Sequence, residues 1–333
     1  MKKWVNVLLF LIVVALVVYV LKDVNFLEVY GLLKKINIFY FFLAFLCCFI
    51  NLLFWNLRWQ NSISSFTQVK FWFLLKVLLA GVFINTVTPG GNIGGEPIRA
   101  YFLGKKYNKP KSKFFATTLV EKVLNLFAFG FFIFFSLFFI FMYLKVPSGL
   151  KWTLGIGTIF LFLTSAVFSF FLFRKEGKGM EFLRKLYGFK FIQKRFTSAK
   201  SFKEYFRKRM DNISIIFKKI MFQKRIFFMG VFYSFLMWIF HFLVAYFLFL
   251  AFGAEVRFTY IIIAVTIAYL IGDISLFPGG IGLMESSMFL LYSAVGIPHA
   301  LAAVVALLTR IIYYFYYILI GGLMLWHLKA TVK

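Results

Sequence analysis

The chain has 333 residues, of which 62% are hydrophobic, and its mean hydropathy is +0.89. A soluble domain is roughly half apolar, so this composition excludes that class and predicts a polytopic membrane protein. The apolar runs are continuous and about 20 residues long, which favours transmembrane helices over the short alternating segments of a β-barrel. The net charge of +27 sorts by position along the chain, so we interpret it as a marker of topology and expect no nucleic-acid partner.

Eight apolar segments are predicted to cross the membrane as helices. The first follows Lys2 and Lys3, as a secretory signal would, but it is longer than a signal core and no small-residue cleavage site follows it. We therefore interpret it as a retained helix. The predicted spans are residues 4–21, 38–57, 71–87, 114–143, 152–173, 226–252, 258–275 and 300–326.

Basic residues concentrate on one side of these spans. Segment 174–225 carries 17 Lys and Arg residues against four acidic ones, and loop 97–113 carries six basic residues and no acid. Together with Arg58, Lys70 and the basic residues at both termini, 29 of the 38 basic residues fall on this side. Cytoplasmic loops collect Lys and Arg, so both termini are predicted to be cytoplasmic, with the protein in the plasma membrane.

Segment 174–225 is also predicted to contain a basic amphipathic helix. Its apolar residues recur at helical spacing between lysines and arginines, a pattern suited to lying on an anionic leaflet. The alternative is a solvated basic linker. The apolar positions are Phe202, Phe206, Met210, Ile213, Phe217 and Ile220.

A short motif interrupts the apolar sequence once in each half of the chain. Pro and paired Gly break a helix, and broken helices at membrane depth are tolerated only inside protein or beside a water-filled cavity. Two such breaks at corresponding places point to the binding site of a transporter. The motif is Pro-Gly-Gly with a Glu seven residues after the Pro, and its two copies are Pro89-Gly90-Gly91 with Glu96 and Pro278-Gly279-Gly280 with Glu285.

The predicted sides of the loops require both broken segments to turn back within the membrane. Span 71–87 enters from the cytoplasm, yet the following basic loop is also cytoplasmic, so residues of about 88–100 are predicted to be re-entrant. Span 258–275 enters from outside, and the last span ends inside, so residues of about 277–296 are predicted to return to the outside. The alternative is a pair of Gly-Pro kinks in ordinary crossing helices.

The predicted fold is therefore all-α and polytopic, with about eight spans and two re-entrant Pro-Gly-Gly hairpins in an inverted repeat. Residues 1–333 form one transmembrane domain. Its halves are residues 1–173 and 226–333, joined by the cytoplasmic segment 174–225.

Charged residues within the apolar segments are candidates for function, because an intramembrane charge is costly and is normally paired. Glu96 and Arg99 share a helix face, and a helix start after a glycine break offers free N–H groups to an anionic headgroup. The alternative is a structural Glu96–Arg99 ion pair. Adjacent Glu121 and Lys122 point to different faces, so each is expected to find another partner.

Arg310 is the corresponding candidate in the second half. An unpaired Arg in hydrocarbon would cost at least about 3 kcal/mol, so we expect it to face Glu285, Asp273 or a phosphate. The predicted substrate-binding residues are Asn85, Pro89, Gly90, Gly91, Glu96, Arg99, Asp273, Pro278, Gly279, Gly280, Glu285 and Arg310. The histidines show no metal-binding spacing and no nucleotide-binding motif is present, so we expect no metal, no cofactor and no catalytic residues.

The two motifs resemble the signatures of a known family. The stretch from Asn85 to Ala100, NTVTPGGNIGGEPIRA, and the later Phe277–Gly282, Glu285 and Arg310 are similar to the flippase-like transmembrane region of lysylphosphatidylglycerol synthases and its stand-alone relatives. The resemblance spans nearly the whole chain and implies a lipid-handling fold with re-entrant helices. In bifunctional members an aminoacyl-transferase domain follows this region; the chain ends at Lys333, so we expect no aminoacylation activity.

The leading hypothesis is a lipid flippase or transporter, not an enzyme, that moves an anionic or phosphate-bearing lipid between leaflets. The expected partners are anionic membrane lipids, and Gly321-Gly322 is a weak indication of helix association in a homo-oligomer. One alternative is an integral-membrane enzyme acting on lipid-linked sugars. Another is an ion or small-solute transporter.

Overall fold

A computed structural model of the protein describes residues 26–88, 94–143, 199–274 and 278–332. The predicted spans 4–21 and 152–173, residues 174–198 and the tripeptide Pro89-Gly90-Gly91 lie outside these ranges. The described α-helices are α1 (Phe26–Lys34), α2 (Ile38–Ile63), α3 (Phe71–Val87), α4 (Gly95–Lys106), α5 (Lys111–Tyr143), α6 (Ala199–Phe222), α7 (Lys224–Ala251), α8 (Phe258–Ile274), α9 (Leu283–Ala294), α10 (His299–Tyr314) and α11 (Gly321–Thr331).

Four helices in the described ranges are long and apolar enough to cross a membrane. They span Ile38–Ile63, Lys111–Met142, Lys224–Ala251 and His299–Thr331. The last combines α10 and α11 through a π-helical stretch at Phe315–Ile320, so it runs for 33 residues. A helix of this length spans about 50 Å, more than the roughly 30 Å hydrocarbon core. The prediction of an all-α polytopic membrane protein is confirmed, whereas the number of spans stays a prediction.

The helix lengths repeat between the two halves. After the long helix α2 come a 17-residue helix, a 12-residue helix and a 33-residue helix, namely α3, α4 and α5. After the long helix α7 the same series follows, with 17 residues in α8, 12 in α9 and 33 in the α10–α11 helix. The two halves are therefore built on one plan, although their sequences share little beyond the Pro-Gly-Gly motif.

Helices α3 and α4 form an antiparallel hairpin. The backbone N–H of Lys70, just before α3, donates to the Tyr107 hydroxyl, just after α4, at 3.2 Å. Near the break, α4 begins against the middle of α3, where a Cβ on Gly95 would overlap the carbonyl oxygen of Gly81. The chain therefore turns back at this break, since both ends of the hairpin lie together, whereas the position of the turn within the membrane stays a prediction.

The second hairpin, α8 and α9, is joined by a 3₁₀ turn at Pro278–Gly280. Gly279, Gly280 and Gly282 have φ of 60°, 67° and 84°, in the left-handed region that side chains disfavour. Its tip reaches the first hairpin, since a Cβ on Gly279 would lie 3.3 Å from the Thr86 side chain. The turn of the second hairpin therefore lies against the C-terminal end of α3.

The two halves are interleaved. Long helices α2 and α7 pack along each other, and each hairpin packs on the long helix that follows it. Helix α3 of the first hairpin also contacts α11 of the second half. Helix α8 of the second hairpin contacts α5, the long helix of the first half. One large apolar core therefore draws on α2, α5, α7, α8, α9 and α10 together.

The apolar stripe of the basic segment packs partly on protein. Ile213, Phe217 and Ile220 of α6 are buried against Ala116 and Val120 of α5. These three positions therefore face the bundle and do not form a leaflet-facing surface. Contact with a leaflet by the rest of the segment stays a prediction.

Arg58 corrects the predicted end of span 38–57. The predicted span 38–57 leaves Arg58 beyond its end, on the cytoplasmic side, whereas α2 continues to Ile63 and Arg58 is only 3% exposed. Its guanidinium donates to the Asn125 side chain at 2.9 Å and to the Ser234 hydroxyl at 3.0 Å. A charged residue ends an apolar pattern in the sequence, whereas these two polar partners let the helix carry it into the bundle.

The close crossing of α3 and α4 predicts a strong effect of one methyl group. Gly95→Ala would force the Gly81 backbone away and is expected to destabilise the protein by about 1–3 kcal/mol. The control is Gly31→Ala on α1, where a Cβ meets nothing within 4 Å. Thermal unfolding of the purified proteins should show a loss for Gly95→Ala alone, and equal melting temperatures would contradict the described crossing.

Candidate functional site

A cavity of about 390 Å³ lies beside the contact between Gly279 and the end of α3, and both halves of the chain line it. Its wall combines aromatic side chains with buried charges, the composition expected of a ligand site. The charged lining residues are Arg58, Glu96, Arg99, Glu121, Lys122, Asp273 and Arg310.

In the second half, Glu285 fixes the helix break to the long helix that follows. It lies in the first turn of α9, and its Oε2 accepts from the Gly282 backbone N–H at 2.7 Å, which caps the helix. Its Oε1 accepts from Nε of Arg310 at 3.0 Å. Arg310 also donates to the Gly279 carbonyl at 2.5 Å and to the Tyr314 hydroxyl at 2.8 Å. Glu285 is one of the partners predicted for Arg310.

In the first half, Glu96 has the same position relative to its Pro-Gly-Gly motif as Glu285 has in the second. It lies in the first turn of α4, is 3% exposed, and forms an ion pair with Lys122 of α5 at 3.1 Å. Asn85 at the end of α3 takes the capping role, because its Oδ1 accepts from the Gly95 N–H at 2.6 Å. Its amide also donates to Glu96 at 3.4 Å.

These two ion pairs are equivalent by position. Lys122 is the twelfth residue of α5, and Arg310 is the twelfth residue of α10, the helix that follows the other hairpin. Each base binds the Glu that stands seven residues after the motif Pro. They differ in exposure, since the Lys122 side chain is 48% exposed and that of Arg310 is 5% exposed.

A second charge cluster corrects the structural alternative considered for Glu96 and Arg99. These residues share a helix, but Arg99 pairs with Glu121 of α5 and its guanidinium lies 3.7 Å from the centre of the Trp59 ring. Arg58 reaches the same carboxylate at 3.8 Å. Glu96 and Arg99 therefore do not pair with each other. Lys122 of α5 binds Glu96 and Glu121 of α5 binds Arg99, because the two neighbouring side chains of α5 point in different directions.

The structure brings together most of the predicted site residues. Asn85, Glu96, Arg99, Asp273, Gly279 and Arg310 line the cavity. Glu285, Pro278 and Gly280 lie outside its lining, in or beside the turn that carries Gly279. Pro89, Gly90 and Gly91 are outside the described ranges, so no contact is assigned to them.

Site selection from sequence missed Arg58, and it did not place Glu121 or Lys122 in the site. A signal for Lys122 was present, since a base follows the motif Glu by 26 residues in one half and 25 in the other. Arg58 had no such signal, because only the packing of α2 on α5 and α7 brings it to the cavity.

The aromatic and polar wall of the cavity supplies further contacts. Trp55 donates to Glu121 at 2.9 Å, and Trp238 donates to the Asn125 side chain at 3.1 Å. His241 also lines the cavity, with its Nδ1 2.6 Å from the Tyr313 hydroxyl. Within the described ranges, no three His, Cys, Asp or Glu side chains are grouped in a way that could hold a metal ion.

These features define a class of protein: a polytopic helical membrane protein with two broken-helix hairpins around a charged internal cavity. The chain belongs to the family of the lysylphosphatidylglycerol synthase TM region, whose sequence profile matches residues 5–321. The resemblance identified from the motifs is thereby confirmed.

Curated archaeal proteins are similar along almost their whole length. A UPF0104 membrane protein of Pyrococcus horikoshii is 28% identical over 328 residues, covering 97% of this chain and 96% of the relative. One from Methanocaldococcus jannaschii is 29% identical, with 97% and 94% covered. One from Methanothermobacter thermautotrophicus is 27% identical over 290 residues, with 86% and 84% covered.

The difference in burial between Lys122 and Arg310 predicts that the two positions differ in their tolerance of substitution. Arg310→Lys keeps the charge, but a lysine cannot donate hydrogen bonds to Glu285, Gly279 and Tyr314 together. A loss of about 1–3 kcal/mol in the free energy of unfolding is therefore expected. Lys122→Arg at the half-exposed pair should change stability by less than about 0.5 kcal/mol. Thermal unfolding of the two variants checks this, and an equal loss in both would contradict the assigned contacts.

Proposed function

We propose that the protein is a lipid flippase or lipid transporter of the cytoplasmic membrane. It moves an anionic or phosphate-bearing lipid between leaflets, with the headgroup in the cavity beside the two hairpins. The single observation that carries this proposal is the cavity itself, which is lined by both halves of the chain and by four basic side chains. A lipid headgroup is the charged ligand that an intramembrane site of this kind is suited to take.

The chemistry of the wall supports a binding role. Arg58 and Arg99 present planar guanidinium groups, which suit the oxygen atoms of a phosphate. The carboxylates Glu96 and Glu121 are each engaged by a base in an ion pair, an arrangement that positions cations at the cavity wall. Accordingly, transport without chemical change of the lipid is the proposed activity.

The repeated plan of the two halves supports an alternating mechanism. Hairpins that contact each other at Gly279 and Thr86 and are each linked to a long helix could open the cavity toward one leaflet and then the other. The excess of basic residues in the segments assigned to the inside supports an orientation with both termini cytoplasmic. Movement then runs either down the lipid gradient or against it by coupling to an ion gradient.

Reconstitution into liposomes tests this function. Wild-type protein should move a fluorescent phosphatidylglycerol from the inner to the outer leaflet, where dithionite quenches it. Arg99→Ala and Arg310→Ala should reduce the rate to that of protein-free liposomes, because each removes a cavity cation that is ion-paired with a carboxylate.

The matched control is Lys76→Ala, which removes a membrane-depth base that contacts His327 and does not line the cavity. It should retain the wild-type rate. Full transport by a folded Arg310→Ala variant would contradict the role given to Arg310. The absence of any lipid movement by wild type would contradict the proposed function.

A further inference from the structure

We infer that an aromatic wall in the second half of the cavity binds a sugar unit that the lipid carries on its phosphate. The aromatic wall consists of the cavity-lining rings of Trp238, His241, Tyr269 and Tyr317. The inference deepens the proposed function and rests on it for the lipid that carries the sugar. It adds a second component of the headgroup and the residues that select it.

The rings of the aromatic wall form a continuous surface. The Tyr269 ring stands nearly perpendicular to the His241 ring at 4.3 Å and to the Trp238 ring at 5.5 Å between ring centres. Buried Tyr313 stacks on His241 at 4.6 Å and contacts Tyr317 at 5.5 Å. The faces of aromatic rings carry partial negative charge, so they attract the polarised C–H groups on the face of a sugar ring.

The aromatic wall is held in place by its neighbours. Nε1 of Trp238 donates to the Asn125 side chain at 3.1 Å, and the Trp238 ring stacks on Phe129 at 4.8 Å. Nδ1 of His241 lies 2.6 Å from the Tyr313 hydroxyl. Side chains that are already fixed lose little conformational entropy when a ligand binds, so the rings form a preorganised surface.

The aromatic wall also offers polar atoms that the described structure leaves without partners. Nε2 of His241 is buried and has no hydrogen bond. None of the described hydrogen bonds includes the hydroxyl of Tyr269 or of Tyr317. A tyrosine hydroxyl both donates and accepts, and an imidazole nitrogen does one or the other. Sugar hydroxyls can satisfy these atoms in either role, whereas an alkyl group would leave them unsatisfied.

The same polar atoms favour a sugar over a cationic headgroup. Arg310 and Asp273 both line the cavity, and Asp273 lies one helical turn after Tyr269 on α8. Charges of both signs therefore border the rings, which are not dedicated to a cation. A quaternary ammonium group is attracted to ring faces but makes no hydrogen bonds, so it would leave His241 and the tyrosine hydroxyls unsatisfied.

The cavity has room for a phosphate and a sugar together. Its volume of about 390 Å³ equals that of on the order of ten water molecules, so a phosphate fills only part of it. Arg58 and Arg99, which suit the phosphate, come from α2 and α4 of the first half. The rings come from α7, α8 and the π-helical stretch of the second half. A sugar phosphate therefore uses both halves of the cavity.

The test is binding of octyl phosphodiesters that share one chain and one phosphate and differ only in the second ester group. The probes are octyl glucosyl phosphate, octyl methyl phosphate and octyl phosphocholine. Isothermal titration calorimetry is carried out in a polyoxyethylene detergent, which contains no sugar, with protein-free micelles as the blank. Wild type should bind the glucosyl ester at least about tenfold more tightly than either of the others.

Tyr269→Phe and Tyr317→Phe place the sugar at the aromatic wall, because each keeps the ring and removes only the hydroxyl. Each should weaken binding of the glucosyl ester by about three- to tenfold and leave binding of the methyl ester unchanged. A merely structural role would affect both esters alike. The matched control is Tyr316→Phe, whose hydroxyl donates to the Phe45 carbonyl at 3.2 Å and does not line the cavity. It should bind both esters as wild type does.

Equal binding of the glucosyl and methyl esters by wild type overturns the sugar site and leaves the proposed function standing. Tighter binding of octyl phosphocholine than of the glucosyl ester also overturns it, because the rings would then be a cation site. Undiminished binding of the glucosyl ester by a folded variant that combines Tyr269→Phe and Tyr317→Phe overturns the assignment to these residues.

A soluble compound separates the sugar site from the proposed function. Methyl glucosyl phosphate carries the same sugar and phosphate without the octyl chain. Weak binding of this compound beside tight binding of octyl glucosyl phosphate supports a lipid carrier. Equally tight binding of both supports the sugar site but overturns the lipid carrier, and the transport proposal with it.

Discussion

Each break in a membrane helix leaves backbone groups and, in this chain, a carboxylate that the hydrocarbon cannot solvate. The protein meets this constraint in the same way twice. A Glu in the first turn after the break is bound by a base on the next long helix, at 3.1 Å in the first half and 3.0 Å in the second. Without these links, a Pro-Gly-Gly segment at this depth would expose an unpaired charge, so the hairpins, the cavity and the interleaved bundle all depend on them.

The interleaving makes the cavity a property of both halves. Arg58 of the first half is bound by Ser234 of the second, and the Gly279 tip of the second hairpin rests on Thr86 of the first. The contact between Gly279 and Thr86 therefore joins the two hairpins directly at the cavity.

The two ion pairs are equivalent in the plan but not in their surroundings. Arg310 is buried and divides its donors among a carboxylate, a carbonyl and a hydroxyl, whereas Lys122 is half exposed. A π-helical stretch begins five residues after Arg310, and such stretches are frequent at functional sites in helices. The second hairpin is thus the more tightly held of the two in this conformation.

The amino-acid sequence by itself determined the class and the breaks. Continuous apolar runs have one stable solution in hydrocarbon, and Pro-Gly-Gly cannot continue a helix, so the helical bundle and both turning points were predictable. The partners of the charges were decided by tertiary structure. Glu96 and Arg99 looked like a pair on one helix, but α5 brought Glu121 and Lys122 to them from 22 to 26 residues away. Arg58 was predicted to lie outside the apolar core, because a charged residue in a sequence usually marks the end of a membrane span. Only the packing of α2 against α5 and α7 supplies the hydrogen-bond acceptors that let its guanidinium lie inside the bundle.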